Sequence, residues 1–293
     1  MNYKYANSEI LKHLNKIIFE STFPVEGNTS GKHKSLSIGK SLEFIQHREY
    51  SPGDDIRTID WKVYARREKY FIKQYQQETN LTCYFLLDCS ASMHFKFKDE
   101  ITKYEYANHL ISYISYILLN QNDNVGIIKY DNKVKEYLEP HGGKEYYYKI
   151  LEMLENEIVG QNTDFTNFIS IAQKLIKKNS LLIFLSDLVF LNQNIVKLIK
   201  QLSMLNINIL TLHLINPMEK SLDFGFEKIL FEDLEDNNKK IFSDLIEIRE
   251  VYLKEFENRI DNFKKEFSNS RVKYLIFYTD SVILDSVKKV IDL

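Results

Sequence analysis

The chain has 293 residues, with 39 lysine and arginine side chains against 41 aspartate and glutamate side chains, and 44% of its residues are hydrophobic. Only 9 glycines and 4 prolines are present, which excludes a disordered or collagen-like chain and favours long ordered elements. The near balance of charge lacks the clustered basic excess typical of nucleic-acid binding, so we expect no nucleic-acid partner.

Cysteine usage and hydropathy favour a cytoplasmic protein. Cys83 and Cys89 are the only cysteines, too few for a disulfide framework and without metal-ligand spacing. The N-terminus lacks the unbroken apolar stretch of a signal peptide, and the most apolar stretches, 110–119 and 181–191, are much shorter than a membrane span. We expect no direct membrane insertion, so any membrane association would arise through partners.

Residues 1–80 form a predicted N-terminal extension that is partly β in structure. It contains a Pro-Gly turn followed by aspartate and arginine side chains, and the only tryptophan of the chain, which we expect to anchor this segment. Local ion pairing that fixes the loop is our interpretation, with a substrate or partner surface as the alternative. The residues concerned are Arg48, Tyr50, Asp54, Asp55, Arg57, Asp60, Trp61 and Arg66.

From residue 81 to residue 293, short apolar runs alternate with amphipathic helical patterns, which is typical of βαβ units and a mostly parallel sheet. Asp131 and Asn132 suit a tight hairpin, so the strands on either side of them are expected to be antiparallel. We therefore predict an open α/β sheet of about six strands flanked by helices. The predicted strands are 81–88, 125–130, 134–138, 181–186, 207–213 and 272–278, and the predicted helices are 107–118, 146–154, 168–176, 196–205 and 282–291.

The region 219–270 departs from this alternation. Two short segments, 229–231 and 240–242, flank a polar turn and predict a hairpin, and residues 219–261 include 13 acidic against 7 basic side chains. From Leu245 to Phe267, apolar residues recur every three or four positions, which predicts one long amphipathic helix. We expect its apolar stripe to lie in the core, with a partner-binding groove as the alternative.

The segment Asp88-Cys89-Ser90-Ala91-Ser92 follows directly on a predicted buried strand. Ligands of α/β sheets bind at the carboxyl ends of the strands, where these side chains are expected to lie. One carboxylate and two hydroxyls suit a hard cation such as Mg²⁺, which prefers oxygen ligands. A capped helix start is the alternative reading of the same residues.

Two later loops strengthen the prediction of a metal site. One polar loop contains Thr163, and the strand 181–186 is followed by Asp187. Parallel strands place such loops side by side, so three hydroxyls and two carboxylates could surround one divalent ion and leave a position open for a partner's carboxylate. The predicted ligands are Asp88, Ser90, Ser92, Thr163 and Asp187.

This order of residues resembles the von Willebrand factor A fold, whose metal-ion-dependent adhesion site reads Asp-x-Ser-x-Ser, then Thr, then Asp. The resemblance implies Mg²⁺ or Mn²⁺ as the cofactor. It also implies that Ser90, Ser92 and Thr163 bind the ion directly, while Asp88 and Asp187 act mostly through water. The glycine pair often found before the threonine in that fold is replaced here by Gln161-Asn162.

The segment from Phe44 to Arg66 closely resembles the bacterial family called "domain of unknown function 58", and the resemblance spans residues 35–214. In that family such a segment precedes an A-type domain. The resemblance implies a link with MoxR-type AAA+ ATPases and other A-domain proteins. It thus implies an adaptor that captures a carboxylate through the metal and couples an ATPase to a client during assembly or maturation of protein complexes.

Two alternatives accompany this adaptor hypothesis. One is an interaction module that binds no metal, and the other is a Mg²⁺-dependent, phosphatase-like hydrolase. An aspartyl-phosphate phosphatase would need a second aspartate at the position of Ser90, and the general acid is therefore missing. No Gly-x-Ser-x-Gly elbow or Walker loop is present. We expect no enzymatic activity and no catalytic residues.

Overall fold

The computed structural model describes residues 3–19, 33–35, 42–67, 69–98, 100–160, 168–189, 193–226, 228–232, 240–268 and 272–293. Contacts divide the chain into two units, one formed by residues 1–20 and 82–293 and the other by residues 21–81. The first residues thus group with the larger unit, whereas the sequence prediction places them in the extension. One physical reason is a 2.6 Å ion pair between Lys4 and Glu105.

The larger unit is built from alternating strands and helices, as the hydrophobic pattern predicts. Its described strands are β4 (Thr82–Asp88), β5 (Asn124–Tyr130), β6 (Val134–His141), β7 (Leu181–Ser186), β8 (Asn208–Ile215), β9 (Lys228–Glu232), β10 (Lys240–Asp244) and β11 (Val272–Tyr278). Its described helices are α1 (Ser8–Leu14), α3 (Lys103–Asn120), α4 (Tyr146–Glu155), α5 (Phe168–Leu175), α6 (Gln193–Met204), α7 (Pro217–Ser221), α8 (Leu245–Ser268) and α9 (Ile283–Ile291).

Six of these strands form one sheet in the order β11-β8-β7-β4-β5-β6. All neighbours are parallel except β5 and β6, which pair antiparallel around the predicted hairpin at Asp131 and Asn132. The open, mostly parallel sheet with flanking helices confirms the predicted fold class. Because β4 and β7 are adjacent and parallel, their carboxyl ends meet at one edge of the sheet.

Helix α3 is the most extensively packed of the helices named here that flank the sheet, with 14 of its 18 residues buried. It packs against the sheet and against α1, α4 and α9. A capping box begins the helix: Thr102 Oγ1 accepts from the Glu105 backbone N–H at 3.0 Å, and Glu105 Oε2 accepts from the Thr102 N–H at 2.9 Å. This cap fixes the direction of the first turn, where Lys103 lies.

The predicted hairpin and long helix are both present. Strands β9 and β10 pair antiparallel, with Leu230 opposite Phe242 on an exposed face. Helix α8 begins at Leu245, and its apolar stripe packs into the core through Ile260, Phe263 and Phe267, which confirms the core interpretation for this part of the stripe.

Strand β6 is an edge strand of the six-stranded sheet, and it contains a proline. Pro140 lies over Gly126 of the neighbouring strand β5. A Cβ at position 126 would lie 2.7 Å from Pro140 Cγ and 2.9 Å from the carbonyl oxygen of Leu138. The close approach of the two backbones therefore requires glycine here.

The smaller unit has an antiparallel sheet of β1 (His33–Ser35), β2 (Leu42–Glu49) and β3 (Phe71–Thr79), and the helix α2 (Trp61–Arg67). Its turn contains a 2.7 Å ion pair between Arg48 and Asp54. Asp55 Oδ1 accepts from the Arg57 backbone N–H at 3.0 Å, and Asp60 Oδ2 lies 3.0 Å from His47 Nε2. These aspartates thus stabilise local structure.

The only tryptophan of the chain, Trp61, begins helix α2 of the smaller unit. The Trp61 side chain is 58% exposed, and its ring meets Tyr64 of the same helix edge-on, with centroids 6.0 Å apart. The Tyr64 ring stacks on Tyr70 at 4.6 Å, and the Tyr50 backbone N–H donates to the Tyr70 carbonyl at 2.9 Å. Arg66 is exposed at the end of α2.

Candidate metal centre

Asp88 lies at the carboxyl end of β4, where its side chain is buried. Its Oδ1 accepts from the Ser90 backbone N–H at 2.9 Å, so the chain turns immediately after the strand. Its Oδ2 accepts from Ser186 Oγ at 2.7 Å, at the end of the adjacent parallel strand β7. The two strand ends are thus linked directly by this carboxylate.

Ser90 and Ser92 lie in the turn that follows. A short 3₁₀ helix covers Ala91–His94, and both serine side chains are buried. Their Oγ atoms are 3.1 Å apart, and Ser90 Oγ makes no capping hydrogen bond to the helix. The two hydroxyls therefore face each other beside Asp88 instead of completing a helix cap, the alternative role considered for them.

Asp187 follows the end of β7 and is also buried. Its Oδ2 accepts from Lys103 Nζ at 2.7 Å, and its Oδ1 accepts from the Val189 backbone N–H at 3.3 Å. The same Lys103 ammonium donates to Glu219 Oε1 of α7. Asp187 and Glu219 are thus bridged by one buried ammonium.

The pKa shifts of the two aspartates show how charge is distributed in the site. Burial and the nearby charge of Asp187 raise the pKa of Asp88 to about 6. Burial alone would raise the pKa of Asp187 as well, but the charge and hydrogen bond of Lys103 outweigh it, so this pKa is lowered. The negative charge of Asp187 is therefore compensated by Lys103, while that of Asp88 is compensated much less.

Thr163, the fifth predicted ligand, lies outside the described residues. The last described residue before its loop is Gly160, whose backbone N–H donates to the Cys89 carbonyl at 2.6 Å. A Cβ at position 160 would lie 2.5 Å from that carbonyl oxygen and 2.7 Å from Asp131 Oδ2. Gly160 is thus held by a hydrogen bond to Cys89, the residue between the predicted ligands Asp88 and Ser90.

Three residues of this cluster were not predicted as site residues, namely Lys103, Ser186 and Glu219. Lys103 lies four residues before Ala107 on the apolar stripe of α3. A lysine on the buried face of a predicted helix was therefore the sequence signal that could have identified it. Glu219 is the acidic residue of an Asn-Pro-Met-Glu capping box, which indicates a helix start but not a contact with the site.

Cys89 lies between two predicted ligands but is an inert side chain. Burial and the charge of Asp88 raise the pKa of its thiol to about 12. The thiolate is the nucleophilic form of cysteine, and this pKa disfavours it at neutral pH. Cys89 therefore fills space under the site, as a small buried side chain does.

The donor set fits a hard divalent cation. Asp88, Ser90, Ser92 and Asp187 supply only oxygen atoms, which Mg²⁺ and Mn²⁺ prefer. When their carboxyls are ionised, Asp88, Asp187 and Glu219 contribute three negative charges and Lys103 contributes one positive charge. These four groups then have a net charge of −2. Within the described ranges, no three His, Cys, Asp or Glu side chains are grouped as metal ligands, so serine hydroxyls are essential to the fit.

None of the helices in the described part of the chain combines the length and apolar character that a membrane span requires.

Several solved structures are similar to this chain in fold. The Rpn10 VWA domain named SpRpn10 is 13% identical and covers 72% of this chain and 94% of that chain, with a TM-score of 0.41. An aerotolerance-related membrane protein from Bacteroides fragilis is 17% identical and covers 72% of this chain and 96% of that chain, with a TM-score of 0.46. BatB from Bacteroides thetaiotaomicron is 17% identical, and the match covers 73% of this chain and 98% of the BatB chain, with a TM-score of 0.46.

Relatives in sequence include uncharacterized proteins of Mycobacterium tuberculosis (strain ATCC 25618 / H37Rv) and Mycobacterium bovis (strain ATCC BAA-935 / AF2122/97). Each is 35% identical over 71 residues, which is 24% of this chain and 22% of the relative. The match therefore spans about a fifth of the length of these relatives.

The family model described as "Protein of unknown function DUF58" matches residues 46–260, which is more than half of the chain. The match includes the turn of the smaller unit and the strand-end residues Asp88 and Asp187. The chain therefore belongs to the DUF58 family.

Proposed function

We propose that this protein is a metal-dependent protein-binding adaptor and not an enzyme. The observation that supports this most is the convergence of Asp88, Ser90, Ser92 and Asp187 at the carboxyl edge of β4 and β7. With Lys103 and the half-buried Glu219, this cluster has a net charge of −2 when its carboxyls are ionised. Carboxylates at a buried site are costly unless a cation compensates them. One divalent ion has the required charge.

The chain's own residues would divide the work at this site. The Ser90 and Ser92 hydroxyls, with Thr163, would hold Mg²⁺ or Mn²⁺ directly, while Asp88 and Asp187 would act mostly through water. When bound, the ion supplies an electrophilic position for a carboxylate of the partner. The Ser186 hydroxyl and the backbone N–H of Ser90 hold the Asp88 carboxylate in place at the site.

We infer that the partner is a MoxR-type AAA+ ATPase, with other A-domain proteins, in the assembly or maturation of protein complexes. The family membership and the donor set support this inference. The chain's two described cysteines are free and buried, which is compatible with the cytoplasm as the compartment. Membrane association would then come through partners.

The test is capture of the MoxR-type ATPase from the same genome by immobilised protein. We expect retention in Mg²⁺, loss in chelator, and at least a ten-fold loss in the double variant Ser90→Ala and Ser92→Ala. Ser268→Ala, an exposed serine near the end of α8, is the matched control and should bind like the natural protein. Equal capture by the double variant in Mg²⁺ and chelator would refute metal dependence.

A metal-free interaction module is the second candidate, and one observation favours it. Lys103 already neutralises Asp187 from within the chain, so this half of the site is satisfied by an internal cation. Capture that survives both chelation and the serine substitutions would support this second candidate.

A further inference from the structure

Lys103 is an unusual residue for the start of a buried helix. Its side chain is fully buried, and its ammonium bridges Asp187 and Glu219. A buried lysine without partners would lose its charge or destabilise the fold, so the two carboxylates keep it charged.

We propose that Lys103 is a resident cation that sets the net charge of the metal centre and thereby limits its affinity for divalent ions. This inference rests on the proposed function, because it concerns regulation of the same site. The ammonium and the incoming ion share one carboxylate, Asp187. Lys103 therefore opposes metal binding by direct electrostatic repulsion.

The charge count explains what such a residue contributes. With Lys103 present, the cluster of Asp88, Asp187 and Glu219 has a net charge of −2, and one divalent ion makes it neutral. Without the ammonium, the cluster would be at −3 and the loaded site would stay negative. A neutral loaded site accepts a partner's carboxylate with less repulsion than a negative one.

The surrounding elements hold this arrangement rigidly. The capping box at Thr102 fixes the first turn of α3, so the Lys103 stem has a defined origin. Glu219 Oε2 accepts from the Asn216 backbone N–H at 2.8 Å, which leaves Oε1 for the ammonium. The Tyr252 hydroxyl of α8 donates to the Glu219 carbonyl at 2.7 Å. Lys103 is thus fixed beside the site by three helices.

The experiment is calorimetric titration of Mg²⁺ and Mn²⁺ into the metal-free full chain and its variants. Lys103→Met removes one positive charge, and we expect divalent affinity to rise about ten-fold or more. Glu219→Gln removes one negative charge and should lower affinity by a similar factor. Lys96→Met, an exposed lysine in the preceding loop, should change it less than about two-fold. Affinity changes of opposite sign in Lys103→Met and Glu219→Gln, two residues that form an ion pair, distinguish an electrostatic role from a structural one.

Thermal unfolding supplies the second readout. Metal-free Lys103→Met should unfold at a lower temperature than the natural chain, because Asp187 loses its buried partner, and Mg²⁺ should raise its midpoint by more than it raises that of the natural chain. A folded Lys103→Met protein with unchanged or weaker affinity overturns the inference. If that variant does not fold, unchanged affinity in Glu219→Gln overturns it.

The outcome also separates this inference from the proposed function. If the natural chain binds no divalent ion while Lys103→Met does, the metal-dependent adaptor is wrong but Lys103 is supported as the resident cation. If neither protein binds an ion, both proposals are wrong.

Discussion

At the scale of single residues, Gly160 lies in close contact with the backbone that follows β4. Its N–H donates to the Cys89 carbonyl, and any side chain would collide with that oxygen and with Asp131. Both obstacles are buried, and Asp131 is fixed by a 2.7 Å ion pair with Lys135. Neither obstacle can move without loss of a partner.

Gly160→Ala is therefore expected to destabilise the protein by about 1–3 kcal/mol, the usual cost of overpacking a well-filled interior. It should also weaken the proposed binding of Mg²⁺, because Gly160 is displaced from Cys89 beside the predicted ligands. Urea unfolding and calorimetry measure the two effects. Gln173→Ala, at an exposed position of α5, is the control, and a Gly160→Ala protein as stable as this control would contradict the argument.

At the scale of elements, the contact between the N-terminal segment and α3 includes a half-buried histidine. The His109 ring meets the Tyr5 ring edge-on at 5.1 Å and stacks on Tyr113 at 6.0 Å. Burial lowers the pKa of His109 below its ordinary value of 6.5, Glu105 opposes this shift, and Lys4 adds to it. The folded protein thus disfavours the protonated ring.

This lowered pKa predicts a pH dependence of stability. The unfolded chain takes up a proton at His109 at a higher pH than the folded chain, so this contribution is complete above pH 6.5 and is lost as the pH falls through that value. Between pH 7 and pH 5, the melting temperature of the natural chain should fall more steeply than that of His109→Gln. His141→Gln, at an exposed position, should follow the natural curve, and three parallel curves would refute the prediction.

The same scale shows what could be predicted from sequence. Except for the edge strand β6, the strands of the main sheet are mostly apolar runs, and the longer helices repeat over several turns, so these elements were predicted to within a few residues. Helices α1 and α7, with 7 and 5 residues, are too short for a helical period to be visible. They become helices through their caps and their packing against the larger unit.

The candidate site also has a part that could be predicted from the sequence and a part that could not. Asp88, Ser90, Ser92 and Asp187 could be predicted to meet because parallel strands end at one edge of a sheet. Lys103 contacts residues 84 and 116 positions away along the chain, and no local pattern specifies such a contact. The meeting of these four side chains was therefore predictable from sequence, whereas their contact with Lys103 became visible only in the folded structure.

At the scale of the whole molecule, a bound ion stabilises the folded state by mass action. Mg²⁺ at about 100 times its dissociation constant adds about 2.7 kcal/mol to the free energy of unfolding. For a unit of this size, each kcal/mol raises the melting temperature by about 2–4 °C. The proposed metal site therefore predicts that Mg²⁺ raises the midpoint by about 5–10 °C and that chelator reverses the rise.

Asp187→Asn should abolish this rise. Asp280→Asn is the matched control, because Asp280 follows β11 at the same edge of the sheet but is exposed and takes no part in the site. A rise that persists in Asp187→Asn would place the ion elsewhere in the protein. Differential scanning calorimetry measures all three proteins.

Gly126 of β5 and Pro140 of β6 lie so close together that a substitution at one position affects which residue the other can accept. Gly126 lacks a side chain because Pro140 and the Leu138 carbonyl occupy its space, and Pro140 gives the edge strand a position without a backbone donor. Pro140→Ala removes one of these two contacts and should relieve part of the cost of Gly126→Ala, so the two substitutions should show a favourable coupling energy in a double-mutant cycle. Across related chains, these two positions should therefore vary together.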